Sequence, residues 1–392
     1  MEKNNIAAQP KKRKYLNEIV FLRSIACLCI AVVHSLHRAH SSSTFTNSLL
    51  DTIVDSGYVL LTFGTPTFIF ISMLLISYSY PTGLPKNFLS KRFKLILFPF
   101  IFMAIFYGAD MNIFHQLLTG NMTEVFSMAT WSTVSSNVIG NLMGGYHGYF
   151  ILIIFQFYIL AYFLHRFLSK SNPVVIILVS LIINLAYLAI FNFTEPPSDN
   201  EKVINFWKSG HWIPFIGWIF YFSLAFYCGL YYQHFVTILE KNKKIVISST
   251  IVFALLTVWL TIIEWIPLSS KSVTMVFFTT GMIGILYLIA TKIKTMPKIL
   301  IDINNYSFSI YLLNTFYINI TYTVLILLGI DFSIFNVFIY LTCSIMASML
   351  TAYLLNLSPY GKYLVGRVNI IKTETKQLPC EISVPTSTTD FS

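Results

Sequence analysis

Apolar runs recur along this chain at about 16–37, 58–79, 93–109, 147–167, 174–193, 213–233, 245–266, 273–291, 307–329 and 334–356. Each holds about 17–23 residues, enough to cross a hydrocarbon core about 30 Å thick as a helix. Backbone polar groups in lipid must be satisfied within the segment, and helices of that length do so. The pattern predicts an all-α polytopic membrane protein with ten transmembrane helices. A basic tail at 1–14 precedes a ten-span domain at 15–356, and a polar tail at 357–392 is expected to be disordered. No signal peptide is read at the start: the first run is too long, and "KKRK" before it has the look of a cytoplasmic anchor.

Charge orients the spans. The 392 residues are 56% hydrophobic and only 11% charged, against about 25% in a soluble protein. The net charge of +10 would suit a nucleic-acid binder, but in a membrane chain basic excess marks cytoplasmic loops. With both termini inside, 21 of the 26 Lys and Arg fall on the inner side and four on the outer, while Arg23 lies within a span. Both termini are therefore expected to be cytoplasmic, and the 110–146 segment, which lacks Lys and Arg, to face outward. The five cysteines (27, 29, 228, 343 and 380) form no metal-ligand spacing and are read as unpaired thiols. No metal site is expected, and no nucleic-acid partner.

Ionisable groups inside a span demand a reason, since an arginine at mid-span costs roughly 2.5–3.5 kcal/mol even on mild scales. The first run, "FLRSIACLCIAVVH", carries Arg23 and His34. Eleven residues at 100° each leave them about 20° apart on one helical face, separated by about 16 Å along the axis. A fixed cation in the inner half and a proton acceptor near the outer end suit a reaction between an anionic cytoplasmic donor and an external acceptor. Two bland readings stay open: Arg23 snorkelling to headgroups, and His34 merely bonding a neighbouring helix. His37 shares the face and is a minor candidate.

Other signals are weaker. Gly64 and Pro66 break the start of the second run, and Ser72 sits within it. In "LSKRFKLILFPF", Arg92 and Lys94 are candidates for holding donor phosphates, or are topology anchors. Trp131, Tyr146, His147 and Tyr149 at the outer face are either an interfacial belt or a stacking surface for sugar rings.

With these residues assembled, the chain resembles the acyltransferase-3 family of integral membrane acyltransferases. The likeness rests on Arg23, ten residues, then His34 in "LRSIACLCIAVVH", and extends to "FGTPTFIF", "SKRFKLILFPFI" and "NYSFSIYLLN". Asn314 stands where the family usually has histidine, and Arg92 with Lys94, two apart, stands where two arginines three apart are usual. The resemblance implies an acyl-coenzyme A donor, with no bound cofactor, and a cell-surface polysaccharide acceptor. It is strongest to members serving poly-β-1,6-N-acetylglucosamine synthesis, which implies a bacterial cell membrane, lipid surroundings and a glycan synthase as a neighbour. O-acetylation or O-succinylation of the glycan is expected, with His34 and Arg23 catalytic. The alternative is export of a biofilm or cell-surface glycan without acyl transfer.

Overall fold

The computed structural model describes residues 16–42, 48–118, 125, 127–146, 148–331 and 333–368. Ten helical spans within it are long and apolar enough to cross a membrane, one for each expected run. Among the described residues there is no strand. The first span, α1 (Asn17–Ser42), is one unbroken helix that carries His37, Arg38 and His40 on its last turns.

Three spans are broken, each at a proline. The second is two helices, α2 (Ser48–Leu61) and α3 (Gly64–Ser79), with a turn at Thr62 and Phe63. Pro66 lacks an N–H and is tolerated only in the first turn of the helix that restarts there. The third runs from α4 (Phe88–Arg92) through a π turn (Phe93–Leu97) into α5 (Phe98–Leu118). Pro99 cannot donate to the carbonyl four residues back, so the ladder widens just before it.

The sixth span breaks at Pro214, between α9 (Glu201–Trp212) and α10 (Ile219–Leu230). Backbone groups freed inside a membrane must find partners. Gln156, on α7 (Tyr149–Lys170), supplies them on both sides of the break. Its Nε2 donates to the Ile213 carbonyl (2.9 Å) and its Oε1 accepts from the Phe215 N–H (3.0 Å). Asn184, on α8 (Pro173–Phe193), accepts from the Phe220 N–H at 3.2 Å, one of the donors orphaned at the α10 start.

The described residues of the 110–146 segment are largely helical rather than looped. α5 continues to Leu118, and α6 (Met128–Leu142) packs back against it. Ser127 caps α6 by accepting from the Thr130 N–H, and Asn141 donates to the Ala104 carbonyl at 3.1 Å.

α1 is the central element. It packs on α3, on α13 (Val273–Ala290), on α14 (Lys298–Leu327) and on α15 (Asn336–Asn356). Ser24 donates to the Leu300 carbonyl (2.6 Å), tying α1 to the start of α14. The core between α3, α7 and α10 is aromatic, with Phe70, Phe157, Trp218, Tyr221 and Phe226 fully buried. α8 and α12 (Lys243–Ile262), the latter preceded by the short α11 (Tyr232–Lys241), turn valine, isoleucine and leucine outward, as lipid-facing spans should.

The disorder expected from residue 357 is not found over the described residues 357–368. Gly361–Leu364 forms a short helix, α16, and Val365 and Val368 are buried against Phe100, Leu312 and Leu313. Two apolar side chains in a polar stretch suffice to hold it to the bundle. Residues 369–392 lie outside the described residues, as does the 1–14 tail.

Candidate active site

The face of α1 carrying Arg23 and His34 lines a cavity of about 1300 Å³. Arg23, Ile30, His34 and His37 recur along it at intervals of seven, four and three residues, the stripe expected of one helical face. Both Arg23 and His34 are half-buried, and His37 is exposed at the mouth. The cavity follows α1 past both groups, so the cation and the imidazole share one cavity over about 16 Å of helix.

Arg92 also faces the cavity, its guanidinium 5.4 Å from the ring centres of Phe88 and Tyr158. Lys94 does not line the cavity and is exposed. Two residues along a helix is about 200°, so these neighbours face opposite ways.

At the His34 end the wall is aromatic. Tyr146 and Tyr149 line it, as do Tyr58, Tyr107, Tyr311 and Trp212. Tyr149 bonds Thr65 through its hydroxyl and packs edge-on against Trp212, ring centres 5.3 Å apart. Tyr107 stands beside Tyr146 at 5.5 Å and fixes its own hydroxyl between the Leu312 carbonyl and the Phe316 N–H. Burial pushes the Tyr146 phenol above its ordinary range, so it stays a neutral hydrogen-bonding group. Trp131, expected to join this surface, is exposed on α6 and away from the cavity. His147 lies outside the described residues.

Several lining residues had no local signal in the sequence. Trp212 and Lys208 reach the cavity because the Pro214 break turns α9 across its outer end. Arg367 reaches it from beyond the last span. Asn314 does not line the cavity: it is buried, and its amide atoms have no hydrogen-bond partner among the described residues. Its neighbour Thr315 faces the cavity instead. Among the described residues no three His, Cys, Asp or Glu side chains are grouped to hold a metal ion.

Ten membrane-spanning helices, several of them lining one cavity, with a cation and an imidazole on one face of the central helix, define an integral membrane protein with a half-buried polar site. The chain belongs to the acyltransferase-3 family: the family model, described as an acyltransferase domain, matches residues 16–357. It is 34% identical over 354 residues to the "Putative membrane-bound acyltransferase YfiQ" of Bacillus subtilis (strain 168), covering 90% of this chain and 95% of that protein. It is also 29% identical over 308 residues to the "Probable poly-beta-1,6-N-acetyl-D-glucosamine export protein" of Staphylococcus aureus (strain MSSA476), covering 77% and 82%. The protein of that name from Staphylococcus epidermidis is 27% identical over 309 residues, covering 78% of this chain and 81% of that one. No solved structure matches. The chain is an acyltransferase and a multi-pass protein of the cell membrane.

Proposed function

We propose that the protein moves an acetyl or succinyl group from cytoplasmic acyl-coenzyme A to a hydroxyl of an extracytoplasmic polysaccharide, such as poly-N-acetylglucosamine. The observation that carries this reading is the single cavity shared by Arg23, Arg92 and His34. Neutral imidazole accepts a proton near pH 7, so His34 serves as general base on the acceptor hydroxyl. The hydroxyl oxygen bonds to the thioester carbonyl carbon, the C–S bond breaks, and the thiolate leaves. His34 then returns its proton to the thiolate, giving free coenzyme A and an ester on the glycan.

The spacing assigns Arg23 its part. About 16 Å of helix separates it from His34, too far for it to polarise the carbonyl that an acceptor activated by His34 attacks. Arg23 therefore holds donor phosphate with Arg92, and the pantetheine arm runs along α1 between them. The tyrosines and Trp212 form the acceptor end, where flat apolar faces with polar tips suit sugar rings. The 21-to-4 distribution of Lys and Arg supports placing the arginine end inside.

A second reading, glycan export without transfer, draws on the length of the cavity and on the relatives named as export proteins. One experiment separates the two: in cells carrying His34→Gln, the ester content of the surface polysaccharide is measured beside the amount exported. Lost esters with normal export support transfer. Lost export with normal esterification of the residual polymer overturns it.

A further inference from the structure

Arg367 lines the cavity from a position eleven residues past the last membrane helix. The backbone on both sides of it is clipped in place. Asn356, the last residue of α15, donates through Nδ2 to the Gly366 carbonyl (3.0 Å) and accepts through Oδ1 from the Val368 N–H (3.2 Å). Ser309 of α14 donates to the Val365 carbonyl at 2.7 Å. Val365 and Val368 are buried, whereas Arg367 between them is exposed.

Gly366 has φ +88°, a conformation that favours glycine, and a Cβ there would collide with the Phe308 ring. A cation that only anchors topology needs no such seat, since any disordered lysine does the same work. Here the backbone on both sides is pinned, and the arginine side chain between reaches the cavity.

The strap lies at the Arg23 end. Phe308 follows Ser307, whose carbonyl accepts from the Cys27 thiol one turn beyond Arg23. Among the described residues, the cavity lining contains Arg23, Arg92, Lys208 and Arg367 and no aspartate or glutamate. Arg23, Arg92 and Arg367 reach the cavity from three distant segments of the chain. One phosphate is served by one bidentate fork; three forks suit several phosphates held at once.

We propose that Arg367 is the third arginine of a polyphosphate-binding bracket, and that residues 357–368 are a strap folded back to deliver it. This rests on the donor reading above and adds to it a residue and an element. The ligand class is a nucleotide thioester carrying a pyrophosphate and a further phosphate.

The test uses the purified full chain in nanodiscs, with coenzyme A, 3′-dephospho-coenzyme A and pantetheine as probes. Arg367→Gln should weaken coenzyme A binding by about tenfold or more, as expected for losing a charge-assisted bond. It should leave the affinity for pantetheine, which has no nucleotide phosphates, unchanged. Asn356→Ala, which keeps the arginine but removes its clips, should weaken coenzyme A binding in the same direction. The proposal is overturned if Arg367→Gln binds coenzyme A like the parent while Arg92→Ala does not; the donor reading then survives. If the parent binds none of the three probes, both readings fail together.

Discussion

Gly64 and Ala26 meet backbone to backbone where α3 crosses α1. A Cβ on Gly64 would stand 2.8 Å from the Ala26 carbonyl oxygen and 2.9 Å from Ile30 Cγ1. The first of these is backbone and cannot swing aside. Small residues at such crossings let membrane helices approach, and this one fixes the face of α1 that bears both Arg23 and His34.

Gly64→Ala should therefore push α3 away from α1, at a cost of about 1–3 kcal/mol for overpacking. Its melting temperature in detergent should drop, and transfer should fall with it. Gly57, where an added Cβ meets nothing within 4 Å, supplies the control. Equal melting temperatures for Gly64→Ala and Gly57→Ala would show that the crossing tolerates separation.

His34→Ala should leave protein level and membrane insertion intact while lowering acyl transfer by about 10²–10⁴-fold. His34→Gln keeps some hydrogen bonding yet cannot take the proton, so it should fail comparably. His37→Ala, one turn nearer the mouth, should be milder. A His34→Gln variant with near-parent transfer rates would make the histidine structural.

Orientation is open to labelling in a background without the five native cysteines. Ser136→Cys, exposed on α6, should react with an impermeant maleimide added to intact cells. Lys294→Cys, exposed between α13 and α14, should react only after the membrane is breached. The reverse pattern would put His34 on the donor side and sink the proposed direction of transfer.

Lys271 gives a pH prediction. It lies in the connection before α13, fully buried, donating to the His211 carbonyl with its ammonium 4.7 Å from the Trp218 ring centre. Burial holds its pKa well below the ordinary lysine value. Between that lowered value and the unfolded value of about 10.4, the unfolded chain binds more protons than the folded one. Stability should therefore rise with pH through that window, and the cost of the buried charge should be fully present below it. Lys271→Met should flatten the rise when melting temperature is followed from neutral to alkaline pH. An unchanged slope would assign the pH dependence to another group.

The ten spans and the Arg23–His34 stripe were fixed by the chain itself. Twenty apolar residues in lipid can satisfy their backbone only as a helix, and eleven residues are almost three whole turns, whatever surrounds them. Gly64 and Pro66 marked the break in the second span for the same local reason, the proline by withholding a donor. What each face meets was decided only by tertiary packing. Helical period places Arg92 and Lys94 on opposite faces, but only the neighbouring helices determine that Arg92 is the one turned into the cavity. Trp131 and Trp212 are equally good aromatics in sequence, yet α6 carries the first outward and the Pro214 break brings the second in. Arg367 belonged by composition to a polar tail. It joins the cavity because Asn356 and Ser309, distant or unremarkable in sequence, satisfy the backbone on either side of it. Periodicity is a property of one segment, whereas a site is a property of which segments touch, and that depends on burial and hydrogen bonds between residues far apart in the chain.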